Sequence, residues 1–188
     1  MAFSHPLILL HTLYRIITEV SMHQDTYDSF ADILGGSPHA WAQIRGSTQY
    51  PNLHGLVRFF RTNFGTLTET EIRGLPDPEN NCQNSVFGFH IHSGSSCTGS
   101  EADPFYDTGM HYNPGNCPHS SHAGDLPPLF GNAGYAYSVF LTSRFTVNEI
   151  IGKTVVIHLS PDDFTSQPAG NSGQKIACGV ILPVPTLY

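Results

Sequence analysis

The sequence predicts an all-β domain, a sandwich or barrel of about eight antiparallel strands, with a helical N-terminal extension. Three observations predict it. After residue 40 the chain becomes a series of short β-prone runs, each bounded by Gly, Pro, Asn or Asp. Its charged fraction is only 12%, so solubility rests on Ser, Thr, Asn, Gly and Pro, as in loop-rich β proteins. Two connections, 93 to about 132 and 160 to 173, are too long for structureless loops in a compact domain unless something holds them. At 188 residues and 39% apolar, the chain suffices for one globular domain with a sizeable core.

The extension, residues 1–38, comes first. Leu10, Leu13, Tyr14, Ile17 and Val20 recur at helical spacing, and Asp28 to Leu34 followed by Gly35 and Gly36 reads as a second short helix with a glycine stop. The opening stretch MAFSHPLILLHTLYRIITEV has no basic residue before its apolar part and holds Arg15 and Glu19 inside it. It also lacks a small-residue cleavage site, which makes it a poor secretory signal. Its apolar run is shorter than the roughly 20 residues of a membrane span. These features favour the cytoplasm, with an extracellular or periplasmic location as the alternative, and no membrane partner is expected.

The main domain, residues 39–188, carries the runs AWAQIRG, GLVRFFRT, TLTETEIRGL, SVFGFHIH, YAYSVFLTSRF, KTVVIHL and KIACGVI. The net charge of −7 excludes nucleic acid as an expected partner, because phosphate recognition needs clustered Lys and Arg. There are two lysines, Lys153 and Lys175.

The eleven histidines are an excess, and six of them fall between His90 and His158 with aspartates nearby, which points to metal. On a strand, side chains at i and i+2 share a face, so His90 and His92 in GFHIHSGSSC can meet one ion. His158 ends another strand and His111 opens the long loop. Four imidazoles converging in this way suit copper. His119, His122 and Asp125 follow His111 within fourteen residues, and His₃Asp is an acceptable tetrahedral zinc shell. If His111 belonged to both sets, its two ring nitrogens would bridge the ions. His5, His11, His23, His39 and His54 show no such grouping and are read as surface or turn residues. Cys82, Cys97, Cys117 and Cys178 form no C-x-x-C pair, and their even number allows two disulfides.

Taken together, GFHIH, GSSC, MHYNP, HAGDLP, GN, GKTVVIHLSPDDF and GNSGQKIACGVI, in that order from Trp41 to Ile181, resemble the copper/zinc superoxide dismutase family. The resemblance implies an immunoglobulin-like Greek-key sandwich or flattened barrel with two long functional loops. It implies copper on His90, His92, His111 and His158, and zinc on His111, His119, His122 and Asp125. Asp162 matches the family's aspartate that ties a copper histidine to a zinc histidine. Cys97 is paired with Cys178. For Cys82 and Cys117, which match no family cysteine, a second disulfide is expected, with two buried free thiols as the alternative.

The implied activity is disproportionation of two superoxide anions to O2 and H2O2 by copper cycling between Cu(II) and Cu(I), with His111 as bridge and proton carrier. A non-catalytic copper-binding or copper-delivery protein on the same fold is the alternative. A third reading is a structural sandwich with a zinc clasp. Lys175 stands where the family usually carries arginine; it keeps the charge that draws superoxide but loses the planar fork. The two-residue gap between His119 and His122 is several residues shorter than the usual family spacing, and the second long loop is short as well. The subunit count stays open, a homodimer being one expectation.

Overall fold

The computed structural model describes residues 29–77 and 85–185. Contacts divide the chain into two compact units, Met1–Ser37 and Pro38–Tyr188. In the first, helix α1 (Phe30–Gly35) starts at Ser29, whose hydroxyl accepts from the Asp32 N–H at 3.2 Å. The expected helix over Leu10–Val20 lies outside the described residues. Among those described, no helix is long and apolar enough to cross a membrane.

The second unit is built of strands: β1 (Ala40–Gly46), β2 (His54–Thr62), β3 (Gly65–Arg73), β4 (Val86–Phe87), β5 (Phe89–His92), β6 (Leu129–Phe130), β7 (Tyr135–Thr142), β8 (Thr154–His158) and β9 (Lys175–Pro183). A single-turn helix, α2 (Val147–Ile150), carries a Thr146/Glu149 capping box. Seven strands form one antiparallel sheet in the order β5-β8-β9-β1-β2-β3-β7, and β4 pairs with β6 separately. Strands at both ends of that order send side chains into one core: Phe89 and Ile91 from β5, Val57 and Phe59 from β2, Ile72 from β3, Ala136 from β7. A sheet whose two ends share a core is curled, so the all-β sandwich or barrel reading holds.

The run SVFGFHIH splits at Gly88, which exchanges backbone hydrogen bonds with Ser160 and His158 (Gly88 N–H to Ser160 C=O, 2.8 Å; His158 N–H to Gly88 C=O, 2.8 Å). A Cβ at Gly88 would lie 2.8 Å from Ser172 Cβ, so only glycine lets the neighbouring segment approach so closely.

In β8, all five residues are buried. Val155 and Ile157 face the main core, while Val156 packs against Phe105, Cys178 and Cys97 in a second cluster. This strand is therefore covered on both faces, by the core and by the long connection after β5. The Cys97–Cys178 disulfide, 81 residues apart in sequence, fastens that connection to β9. Closing a loop of this size is worth about 4 kcal/mol in the chain-entropy account.

Candidate metal centre

The alternation of β5 sets the first group. Phe89 and Ile91 enter the core, which leaves His90 and His92 on the opposite face, where they are nonetheless buried. Antiparallel pairing opposes His90 to Val156 and His92 to Thr154, so His158, two residues past Val156, lies on the same face. His111 joins them through a backbone bridge to His92, and Asp125 through a bridge to His90. Ile91 donates to the Gly124 carbonyl at 2.9 Å and accepts from Tyr112 at 2.8 Å, which lays the loop alongside β5. A Cβ at Gly124 would collide with the Ile91 carbonyl oxygen.

The structure brings together both sets named from the sequence. Ligand atoms of His90, His92, His111 and His158 all lie within 4.8 Å of one another, and so do those of His111, His119, His122 and Asp125; all seven residues are buried. His111 is in both. Its Nδ1 stands 2.8 Å from Asp125 Oδ1 and 3.5 Å from His122 Nδ1, while its buried Nε2 has no hydrogen-bond partner. His119 Nδ1 lies 3.1 Å from the other oxygen of Asp125, and His122 Nδ1 lies 3.2 Å from Asp125 Oδ1.

One ring nitrogen of each strand histidine faces an acceptor: His90 Nε2 on Asp162 Oδ2 (2.8 Å), His92 Nδ1 on the Gly109 carbonyl (2.8 Å), His158 Nδ1 on the Gly173 carbonyl (3.1 Å). A carbonyl or carboxylate accepts only from N–H, so the proton of each neutral ring sits on that outer nitrogen and the inner one presents a lone pair. His90 Nδ1 is buried and unpartnered, and His92 Nε2 and His158 Nε2 are 3.2 Å apart. Lone pairs converging in a dry site repel one another unless a cation sits among them, and an all-nitrogen set suits copper. The second group, three imidazoles and a carboxylate, has the donor set of a zinc shell.

Asp162 joins the groups, accepting from His90 Nε2 through one oxygen and from His119 Nε2 through the other, each at 2.8 Å. A Cβ at Gly170, whose φ is +68°, would collide with Asp162 Oδ1, so glycine is required there on two counts. Electrostatics agree with this geometry. Burial, with the charge of neighbouring His90, lowers His158 to about 3; burial, with His158 and His111 nearby, takes His92 well below its ordinary value. Burial lowers His90 too, against the pull of Asp162. Burial alone would raise Asp162, but hydrogen bonds from His90 and His119 outweigh it and hold the carboxyl well below the usual range. Asp125 is likewise depressed: burial is outweighed by the hydrogen bond and charge of His111, with His119 and the His122 N–H adding to it.

Lys175 stands opposite His158 in the pairing of β8 with β9, and its charge is already partnered: Nζ donates to Asp103 Oδ2 and to the Phe105 carbonyl, both at 3.0 Å. Cys117 is exposed and bonded to no cysteine among the described residues; its expected partner Cys82 lies outside them. His54 is exposed, its Nδ1 donating to the Asn52 carbonyl at 2.8 Å, and His39 accepts from the Arg61 N–H at 3.1 Å. His5, His11 and His23 lie outside the described residues.

A family model for copper/zinc superoxide dismutase matches residues 53–181, which contain both histidine groups, Asp162, Lys175 and the disulfide. The chain belongs to that family. It is similar to the "Superoxide dismutase [Cu-Zn] 2" of Aquifex aeolicus, 32% identical over 142 residues (68% of this chain, 78% of the relative). The "Superoxide dismutase [Cu-Zn]" of Deinococcus radiodurans is 33% identical over 167 residues, covering 79% of this chain and 87% of the relative. The "Superoxide dismutase [Cu-Zn] A" of Xenopus laevis is 33% identical over 146 residues, 69% of this chain and 89% of the relative. Membership makes the chain an oxidoreductase of the superoxide dismutase class, with superoxide as substrate and copper and zinc as the cofactors the family implies.

Several residues that shape the centre carry no mark in the sequence. Gly109 and Gly173 contribute carbonyls, Gly170 contributes space, and Gln167 and Arg144 hold the loop backbone. Which carbonyl accepts from which ring depends on contacts between segments that are not neighbours in the chain.

Proposed function

We propose that His90, His92, His111 and His158 hold copper, that His111, His119, His122 and Asp125 hold zinc, and that His111 bridges the two during superoxide dismutation. The observation that carries this reading is the position of His111, one nitrogen facing Asp125 and His122 and the other buried without a partner among the strand histidines. When bound, copper supplies one-electron redox chemistry toward superoxide, and zinc a fixed, redox-silent positive charge.

The remaining work belongs to the chain. His111 Nε2 is the atom that takes up a proton and gives it to the reduced product, its ring held by the groups around Nδ1. Asp162 fixes the rings of His90 and His119 in one tautomer. The Gly109 and Gly173 carbonyls do the same for His92 and His158. Lys175 draws the anion toward the centre, with Asp103 offsetting part of its charge. The disulfide keeps the loop that covers β8 in place.

Elemental analysis of the purified protein beside a superoxide-consumption assay tests the reading. One copper and one zinc per chain with rapid consumption is expected. Copper bound without dismutase activity, or zinc without copper, contradicts it.

A further inference from the structure

The segment from His111 to Asp125 contains no helix and, apart from isolated bridges, no strand. Only Ser120 and Ser121 separate His119 from His122. A short irregular segment of this kind has little backbone pairing of its own with which to fix three ligands. Its internal bonds are short-range turns and side-chain links, with one pairing across the loop: Ser121 N–H to the Pro118 carbonyl at 2.9 Å, Asn116 N–H to the Asn113 carbonyl at 3.3 Å, Asp125 N–H to the His122 carbonyl at 3.2 Å, His122 N–H to Asp125 Oδ2 at 3.0 Å, the Asn113 amide closing on Cys117, and Gly124 N–H to the Tyr112 carbonyl at 2.8 Å, which ties the two ends together.

Two side chains from elsewhere supply what is missing. The Gln167 amide, in the segment after β8, pairs with both backbone groups of His119: the His119 N–H donates to Oε1 at 3.0 Å and Nε2 donates to the His119 carbonyl at 2.6 Å. Arg144, in the turn after β7, donates from Nη1 to the carbonyls of Ser120, His122 and Asp125 at 3.1, 3.3 and 3.3 Å. The backbone carbonyls of all three ligands after His111 are thus held from outside their own loop. Both side chains bond to the loop backbone and not to an imidazole or the Asp125 carboxylate. Both residues are exposed, so the main core does not need them.

We propose that Gln167 and Arg144 are positioning residues that clamp this shortened loop at His119 and at the Ser120, His122 and Asp125 carbonyls and set how firmly the second site keeps its metal. The proposal rests on the zinc assignment made above. The chemistry of the two grips differs. Gln167 matches a donor and an acceptor at one peptide unit and specifies its orientation. Arg144 places one positive group among three carbonyl dipoles and gathers the loop.

The test loads wild type, Gln167→Ala, Gln167→Glu, Arg144→Ala and Arg144→Lys with copper and zinc and follows zinc release to excess chromogenic chelator. A parallel set carries Co(II) in place of zinc and is read by its visible absorption. Loss of such outer support costs roughly ten- to a hundredfold in metal retention, so both alanine variants are expected to release zinc at least about tenfold faster, with altered Co(II) spectra. Gln167→Glu keeps the acceptor but turns a carboxylate toward the His119 carbonyl, and should release zinc no more slowly than Gln167→Ala. Arg144→Lys should fall between Arg144→Ala and wild type.

Wild-type release rates and an unchanged Co(II) spectrum in both alanine variants would overturn the proposal. So would a fall in the melting temperature of the metal-free protein large enough to account for the faster release, since the side chains would then serve the fold at large. A wild type that binds no zinc at all would instead overturn the assignment on which the proposal stands.

Discussion

The two halves of the centre are built in different ways. His90, His92 and His158 ride on paired strands, where register with β8 and β9 fixes each Cα and the two-residue period fixes the face. His119, His122 and Asp125 ride on an irregular loop whose backbone is held by Gln167, Arg144, a few turns and, at Asp125, a bridge to β5. His111 stands at the join, bridged to β5 yet opening the loop. The strand half gains its precision from the same hydrogen bonds that make the sheet, so it persists as long as the fold does. Between its ends at His111 and Asp125, which are bridged to β5, the loop half depends on individual side-chain contacts and can loosen without unfolding.

Removing the join should do the most damage. His111→Ala takes a donor from both groups, and dismutase activity is expected to fall at least about a hundredfold, with copper and zinc contents both reduced on elemental analysis. Asp162→Asn comes next. It replaces one of the two oxygens that accept from His90 and His119 with an NH2 facing an N–H. Metal affinity should drop roughly ten- to a hundredfold on both sides in competition titrations, more on the loop side, where His119 has no strand to restore its ring.

Cys97→Ser should lower stability toward urea by about 2 to 4 kcal/mol in the metal-free protein. The loop over Phe105 and Val156 is then the first region to exchange its amide hydrogens.

Acid sharpens the same contrast. The histidines His90, His92 and His158 are depressed by burial, His158 to about 3. Between the ordinary histidine value and that figure the unfolded chain binds protons that the folded chain does not. The metal-free protein should therefore be most stable above about pH 6.5 and lose stability as pH falls, by up to about 1.4 kcal/mol per pH unit for each such histidine. The depressed Asp162 and Asp125 carboxyls add stability above the usual carboxylate range and lose it at still lower pH. Chemical denaturation of the metal-free protein across pH 4 to 8 checks the sign: a flat profile would mean that the strand histidines are not held neutral.

The smallest expected effects concern Lys175. Lys175→Glu should lower turnover severalfold at low ionic strength and weaken its salt dependence, while Asp103→Asn should raise both by a smaller factor. Stopped-flow consumption of superoxide over a salt series measures each.

The strand half was also the part legible from the chain itself. In FHIH the alternation of aromatic or aliphatic residues with histidine states both the element and the face. For His119, His122 and Asp125 spacing alone suggested a zinc shell, and the resemblance to a family supplied the order. What could not be read is the set of long-range backbone acceptors and clamps. Gln167 lies 48 residues from His119 and Arg144 lies 22 from His122, and no local pattern distinguishes them from other exposed polar residues. The Asp103 partner of Lys175, 72 residues away, was hidden for the same reason. Gly88 looked like the middle of one strand because a close approach by Ser172 leaves no local trace.

The central claim is that a single imidazole serves two ions, and magnetic coupling tests it most directly. With Cu(II) in the strand group and Co(II) in the loop group, a shared His111 ring transmits exchange between the two unpaired spins. The Cu(II) electron paramagnetic resonance signal should then disappear on cobalt binding and stay intact when zinc occupies the same site. A copper signal of full intensity in the doubly loaded protein would contradict the account.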